Sequence, residues 1–259
     1  MDRVPFRFMP VALNATNLEE AWVRLMYAAI ESGRPYLVTE GSRAGQHRMT
    51  MDVAIATINR PELRPLYPLG KPGQVVPIDE VAIHNYFNEY VYSHSPPKPN
   101  EHYNYSDYIT PLSQAIMDYY VKFGFGNAHC TIRVGEPNCF KDYFDAYQNE
   151  TERKTTPCLL AIDTRIIENF LCFYVYYRSW DLFSGYPLNN AGFQLLKEHM
   201  AGYISTMTGN ELFCGPTVTV CKDLHLYEED IPAASGWTGQ DVKMLVDHLK
   251  CERSITSNG

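Results

Sequence analysis

The stretch VYYRSWDLFSGYPLNNAGF, Val175–Phe193, decides the fold prediction because its character changes from strand-like to helix-like within a few residues. Its first residues are aromatic or β-branched, as in a buried strand, and its last residues suit a helix. Side chains where a strand ends and a loop begins often form functional sites. Four polar candidates lie in this junction: Arg178, Ser179, Asp181 and Asn189.

Strand-like segments surround this junction. PCLLAIDTRI (157–166) and NFLCFYVYY (169–177) are β-like, and the residues around IENF between them predict a hairpin. HCTIRV (129–134) predicts another strand, and TVTVCKDLHLY (217–227) predicts extended chain.

Helical patterns account for much of the remaining sequence. Residues 17–31 place six apolar side chains on one face, and Thr16 with Glu19 fits a capping box. Other helices are predicted at about 79–92, 110–124, 190–207 and 244–251, with a surface loop at 93–106.

HRMTMDVAIATI (47–58) is predicted to be one strand with one buried face, because Met49, Met51, Val53 and Ile55 alternate with smaller or polar residues. Helices and strands occur in a mixed order rather than a strict βαβ alternation. This order favours an α+β fold, with residues 1–259 as a single domain.

Charge and composition exclude several classes of partner. The net charge of −8 argues against a nucleic-acid polymer, which needs a basic surface. No apolar run reaches membrane-spanning length, and the N-terminus lacks a signal-peptide pattern, so we expect a cytoplasmic protein.

The seven cysteines form no C-x-x-C pair and no zinc-ligand spacing, so we expect reduced thiols and no metal. Most would be small apolar side chains in the core. Cys158, between Pro157 and a β-like run, is either such a residue, half of a disulfide or a reactive thiol.

The spacing of several residues resembles that of the thymidylate synthase family. Cys158 precedes Arg178 by 20 positions, and an Arg-Ser-x-Asp motif begins at that arginine. Gly185, Pro187 and Asn189 follow it, and DLHLY (223–227) supplies a His-x-Tyr pair. The resemblance covers roughly 155–227 and is closest to archaeal-type members.

This resemblance implies a thymidylate synthase-like mixed sheet flanked by helices, with one sheet face packed in a homodimer. The implied reaction transfers a one-carbon unit from 5,10-methylenetetrahydrofolate to C5 of a uridylate-type nucleotide, with dUMP as the expected substrate. Cys158 would add to C6 as the nucleophile, with a pKa lowered by Arg178.

The other roles follow from the same resemblance. Arg178 and Ser179 would bind the phosphate, and Asn189 would pair with the pyrimidine edge through its amide donor and acceptor. The sugar hydroxyl would be held by His225 and Tyr227. Asp181 and Gly185 would contact the folate, Glu89 would relay protons, and Tyr105 would add a hydroxyl to the water network.

Each residue also has an ordinary structural interpretation. Cys158 could fill the core, Arg178 could form an ion pair, and Asn189 or Asp181 could cap a helix or turn. His225 could be a satisfied buried histidine, Tyr227 could pack as an aromatic ring, and Glu89 could be solvated.

The sequence also departs from the family. FGNAHC (125–130) stands where a Ser-Arg-Arg-Ala segment supplies cross-dimer arginines, and Arg43, Arg48 or Arg133 could substitute. Asp163 replaces a glutamine. These departures motivate a second hypothesis, a nucleotide-binding relative without turnover. A third is an unrelated α+β protein.

Residues 96–108 contain no tryptophan. In the methylating enzymes, a tryptophan in the corresponding segment lies beside the substrate and shields the intermediate from water. We therefore expect hydroxymethylation to 5-hydroxymethyl-dUMP, with reductive methylation to dTMP as the alternative. The sequence leaves the choice between ribose and deoxyribose open.

Overall fold

The computed structural model describes residue 8, residues 10–39, 43–92, 103–148 and 156–247, and residue 249. Thr155, Cys251 and residues 93–102 of the predicted loop lie outside the described residues.

The described residues contain ten strands: β1 (Pro10–Ala15), β2 (Arg34–Leu37), β3 (His47–Met51), β4 (Val53–Ile58), β5 (Thr131–Arg133), β6 (Leu159–Ile167), β7 (Phe170–Tyr177), β8 (Trp180–Asp181), β9 (Phe213–Cys221) and β10 (Leu224–Tyr227). The helices are α1 (Leu18–Ser32), α2 (Glu80–Tyr86), α3 (Ser106–Phe123), α4 (Cys139–Gln148), α5 (Gly185–Thr208) and α6 (Ile231–Thr238). A π-helical turn, Phe87–Val91, follows α2 directly, and residues 243–247 are also helical.

The strands form two mixed sheets, which confirms the α+β prediction. The larger sheet has the order β1-β4-β9-β7-β6-β5, in which β1–β4 and β7–β9 are parallel pairs and the other pairs are antiparallel. The smaller sheet has the order β2-β3-β10-β8. The hairpin between β6 and β7 is confirmed: Glu168 and Asn169 have φ values of 49° and 66°, as a two-residue hairpin turn requires.

One face of the larger sheet packs against helices. α5 contacts β7, β9, α1, α2 and α3. Large side chains between these layers, such as Trp22, Phe173 and Phe193, are fully buried. The helices therefore supply the core on one side of the sheet.

The opposite face of the larger sheet, here called the outer face, consists of two rows of side chains that are half-buried or exposed. Each row takes one residue from every strand in register. The first row is Ala12, Ile55, Val220, Tyr176, Ala161 and Arg133, and the second is Asn14, Thr57, Val218, Tyr174, Asp163 and Thr131.

The prediction of a single strand over 47–58 was wrong. The segment divides at Asp52 into β3 and β4, which lie in different sheets. Asp52 accepts hydrogen bonds from Arg34 Nε and Nη2, and aspartate is disfavoured inside strands. The burial pattern changes phase there, so Ile55, predicted to be buried, is 36% exposed.

The extended segment 217–227 likewise divides between the sheets, with β9 in the larger and β10 in the smaller. At α1 the six predicted core residues are all buried. The cap lies one residue later than predicted, because Asn17 Oδ1 accepts from the Glu20 N–H and Glu20 accepts from the Thr16 N–H.

Helix starts also differ from prediction where side chains cap them. α3 begins at Ser106 because Asn104 Oδ1 accepts from the Ser106 N–H over 3.0 Å, so Pro111 lies inside the helix. Five elements were not predicted: β1, β2, β8, α4 and α6.

Candidate functional site

Pairing between β6 and β7 brings Cys158 and Arg178 together. Cys158 immediately precedes β6, Arg178 immediately follows β7, and Leu159 is opposite Tyr177 in the register. The Arg178 N–H donates to the Cys158 carbonyl over 2.9 Å. The pairing therefore brings the backbones of the two predicted residues into direct hydrogen-bond contact.

The Arg178 side chain holds the segment before the thiol. Its Nε donates to the Pro157 carbonyl over 2.9 Å, and its Nη2 donates to the Thr156 carbonyl over 2.7 Å. The guanidinium thus fixes the backbone that presents Cys158, in addition to placing a positive charge near the sulfur.

The pKa of Cys158 differs from the expectation. Burial raises the pKa of the thiol, and this effect outweighs the lowering by Arg178, while Asp223 raises it further. Because desolvation disfavours the thiolate, the predicted lowering of the Cys158 pKa is wrong for the protein without a ligand.

Tyr103, Tyr105 and Tyr177 lie near the thiol, and Tyr86 lies beside Tyr177; these four residues form the tyrosine cluster. The Leu159 N–H donates to the Tyr105 hydroxyl over 3.4 Å, and the Tyr103 and Tyr105 rings are 5.5 Å apart. Burial raises the pKa of each of the four hydroxyls, so they remain protonated donors. Only Tyr105 was among the predicted residues.

Asn189 is held by two donors at the start of α5. Its Oδ1 accepts from Trp180 Nε1 over 2.8 Å and from the Tyr177 hydroxyl over 3.2 Å. The Trp180 ring stacks on Tyr177, with centroids 3.8 Å apart. The structure therefore places Asn189 against the tyrosine cluster.

Asp223 connects the other predicted residues and was missed as a site residue. Its Oδ2 accepts from Ser179 Oγ over 2.9 Å and from Arg48 Nη2 over 2.8 Å. Its carbonyl oxygen is 3.1 Å from His225 Nδ1. The signal was its place in the KDLHLY segment, two residues before His225.

His225 and Tyr227 lie on β10 of the smaller sheet, with rings 5.0 Å apart. His225 is buried and is opposite Asp181 of β8. Burial and the nearby Arg48 lower the pKa of His225, whereas Asp223 raises it. The net effect is a lowered pKa, and this favours the neutral imidazole. The Arg43 guanidinium lies 4.8 Å from the Tyr227 ring centroid.

Asp181 caps α5. Its Oδ2 accepts from Ser184 Oγ over 2.6 Å and from the Gly185 N–H over 3.0 Å, and its Oδ1 accepts from the Phe183 N–H over 3.2 Å. Asp230 was not predicted as a site residue; burial, together with the negative charges of Asp181 and Glu229, raises its pKa to about 6.

Glu89 lies in the π-helical turn after α2. The Glu89 carbonyl accepts from Asn104 Nδ2 over 2.7 Å, which ties this turn to the segment of Tyr103 and Tyr105. π-Helical turns often occur at functional sites. The position of its backbone beside the tyrosine segment is compatible with the predicted role of Glu89.

Of the three arginines considered as substitutes, two lie near these residues. Arg48 contacts Asp223, and Arg43 pairs with Glu229 beside Tyr227. Arg133 is exposed on β5 in the outer face. Gly126 and Asn127, at the place of the missing arginine pair, follow α3.

The chain matches no known family model, and a comparison with curated proteins found no match. Within the described ranges, no helix is both long and apolar enough to cross a membrane.

Proposed function

We propose that the chain is a folate-dependent one-carbon transferase acting at C5 of a uridylate-type nucleotide, with dUMP as the first substrate to test. The convergence of Cys158, Arg178 and the tyrosine cluster carries this proposal. A half-buried cysteine next to an arginine, with hydroxyl donors nearby, suits covalent catalysis on a planar ring that develops negative charge.

The covalent step begins at Cys158. The sulfur bonds to C6 as the thiol proton leaves, and the electron pair of the C5–C6 double bond becomes available at C5. C5 then bonds to the one-carbon unit. C5 afterwards loses its own proton, the bond between the transferred carbon and the folate nitrogen breaks, and tetrahydrofolate leaves, so that an exocyclic methylene group remains. Water adds its hydroxyl to this carbon, and the C6–S bond breaks, so that a proton from water restores the thiol.

The chain's own groups would hold the nucleotide in this reaction. Arg178, Ser179 and Arg48 present cationic or hydroxyl donors to a phosphate, in place of the carbonyl and Asp223 contacts they make here. His225 and Tyr227 would hold the sugar hydroxyl. Glu89 and Tyr105 would move protons to and from the ring.

The residues present fit 5,10-methylenetetrahydrofolate, which supplies the one-carbon unit when bound. Asp181 Oδ1 accepts one hydrogen bond, from Phe183, so this oxygen has capacity to accept another from a pterin N–H group. Gly185 lies against the same carboxylate.

Hydroxymethylation is favoured over reductive methylation to dTMP because Trp180, beside Asn189, is only 3% exposed and cannot cover a ligand. Tyrosines rather than tryptophan surround the thiol. Water would therefore reach the exocyclic carbon.

The proposal includes a thymidylate synthase-like homodimer with the outer faces packed together. The middle of both rows is apolar or aromatic, with Ile55, Tyr176 and Val218 among its members, whereas Arg133 lies at an edge. A contiguous apolar sheet face is typical of protein interfaces.

Mass analysis of the nucleotide product tests the function. The chain is incubated with 5,10-methylenetetrahydrofolate and dUMP, UMP, dCMP or CMP in turn. 5-Hydroxymethyl-dUMP with tetrahydrofolate is expected, whereas dTMP with dihydrofolate would establish methylation.

Cys158→Ser should abolish turnover, and the matched Cys139→Ser variant should retain it. A Cys158→Ser variant as active as the parent would contradict the mechanism. Tight dUMP binding without tritium release from C5-labelled dUMP would instead identify a nucleotide-binding relative without turnover.

A further inference from the structure

Trp180 fixes the orientation of the Asn189 side-chain amide. Its Nε1 donates to Asn189 over 2.8 Å, and the Tyr177 hydroxyl donates to the same atom over 3.2 Å. An indole nitrogen can only donate, so the Asn189 atom facing it has to be the oxygen. Two donors already occupy that oxygen, and only the Nδ2–H groups remain for a ligand.

The support behind this amide is rigid. Trp180 is 3% exposed, and its ring is nearly parallel to Tyr177, with an interplanar angle of 8°. Its ring centroid lies 4.6 Å from that of Tyr186, and its backbone N–H donates to the Asp223 carbonyl over 3.0 Å. The indole cannot turn away from Asn189 without disturbing these contacts.

A second donor beside the amide lacks an acceptor. The Tyr86 hydroxyl is buried beside the Asn189 and Tyr177 side chains, which lower its pKa as loose hydrogen-bonding neighbours against the raising by burial, but it makes no hydrogen bond of good geometry within the described part of the chain. Leaving a buried hydroxyl without a hydrogen-bond acceptor is energetically unfavourable. The Tyr86 hydroxyl is therefore a donor that an acceptor atom of a bound ligand can satisfy.

From this geometry, and resting on the proposed function, we infer that Trp180 sets the selectivity for a 4-oxo over a 4-amino pyrimidine by locking Asn189 with Nδ2 toward the ligand. Asn189 Nδ2 and the Tyr86 O–H are two donors that match one carbonyl oxygen, O4 of uracil. The 4-amino group of cytosine would place N–H donors against them. The pyrimidine edge is thus recognised through O4, rather than through both atoms of the Asn189 amide.

The test compares dUMP and dCMP binding by calorimetry. Trp180→Phe retains an aromatic ring for the stack and removes the N–H group, so the Asn189 amide can rotate. The preference for dUMP over dCMP should fall about tenfold or more. Once the Asn189 amide can rotate, its oxygen can accept from the 4-amino group of cytosine, so that binding dCMP no longer leaves these polar groups unpaired. Trp237→Phe is the matched control, because its indole donates to the Val75 carbonyl, and it should leave the preference unchanged.

The outcomes separate this inference from the proposed function. A folded Trp180→Phe variant with the parent's preference overturns the inference and leaves the function standing. A parent chain that binds neither nucleotide overturns the function and, with it, the inference.

A measurement on the unmodified chain covers the case in which Trp180→Phe does not fold. The three tryptophans give three indole N–H signals in a ¹⁵N spectrum, assigned with Trp22→Phe and Trp237→Phe. The Trp180 signal should keep its hydrogen-bonded position when dUMP saturates the site. A large upfield shift would show that N3–H of the base has taken the Asn189 oxygen, which overturns the inference.

Discussion

At the scale of single residues, the thiol of Cys158 is controlled by two charges of opposite sign. Arg178 favours the thiolate and Asp223 disfavours it, while burial raises the pKa of the thiol overall. Since Asp223 also accepts hydrogen bonds from Ser179 and Arg48, the groups proposed to bind phosphate are linked to a carboxylate that adds to the raised pKa of the thiol.

These charges predict opposite shifts in the pH dependence of Cys158 alkylation. Arg178→Gln removes the positive charge, raises the pKa of the thiol and moves the alkylation profile to higher pH. Asp223→Asn removes the negative charge, lowers that pKa and moves the profile to lower pH. Iodoacetamide labelling from pH 7 to 10, read at the Cys158 peptide by mass spectrometry, measures both.

The labelling of Cys214, a half-buried cysteine on β9, serves as an internal control that neither variant should change. Shifts of the same sign in the two variants would contradict the charge assignment, because a general loosening of the fold exposes the thiol in both.

Some of this site follows from the sequence and some does not. The contact between Cys158 and Arg178 was predictable because a hairpin with a two-residue turn places the two ends of its strands together. Tyr103 could not be predicted as a neighbour of the thiol, nor Tyr86 as a neighbour of Asn189, because their positions depend on how α2, α3 and the segment before α3 pack on the sheet.

At the scale of elements, α5 is shaped by its glycines. A Cβ atom on Gly192 would lie 2.6 Å from Tyr86 Cδ1, so α5 and α2 approach closely at this glycine. Gly202, two to three turns later on the same helix, has no neighbouring atom within 4 Å of its Cβ position.

Alanine at the two glycines should therefore have opposite effects on stability. Gly192→Ala should destabilise the chain by about 1–3 kcal/mol through overpacking against Tyr86. Gly202→Ala should stabilise it by roughly 0.5–1 kcal/mol, because glycine is a poor helix former. Urea unfolding followed by circular dichroism measures both, and equal effects would refute the close contact.

The elements also show which sequence patterns were informative. α1 was predictable because its apolar residues recur with the helical period over its whole length. β3 and β4 were predicted to be one strand because the alternation of large apolar residues with smaller or polar residues continues across Asp52. The amino-acid composition does not indicate that the chain passes from one sheet to the other at this residue. The burial of Lys197, which donates to the Gly215 carbonyl and Thr217 Oγ1, was likewise invisible in the sequence because those acceptors come from β9.

At the scale of the whole molecule, the larger sheet has helices on one face and two rows of half-buried or exposed side chains on the other. Tyr176, in the first row, is 37% exposed. Covering such a face in a dimer would remove apolar surface from water, at about 25 cal/mol per Å².

A charge placed in this face should dissociate the proposed dimer. Tyr176→Asp should shift the mass measured by light scattering from dimer to monomer at micromolar concentration, because a buried unpaired carboxylate is costly. Phe123→Asp, at the exposed end of α3, is the matched control and should leave the mass unchanged. A parent chain that is already monomeric would refute the dimer.

The in-register rows of the outer face have a consequence for how this chain can vary. Side chains alternate between the two faces of a strand, so deleting Pro216, which precedes both threonines in β9, would turn Thr217 and Thr219 outward and drive their valine neighbours into the helical layer. Substitution changes one side chain, whereas a change of length exchanges the inside and outside positions along the rest of the strand. Insertions should therefore be tolerated in the connecting loops and rejected in the central strands.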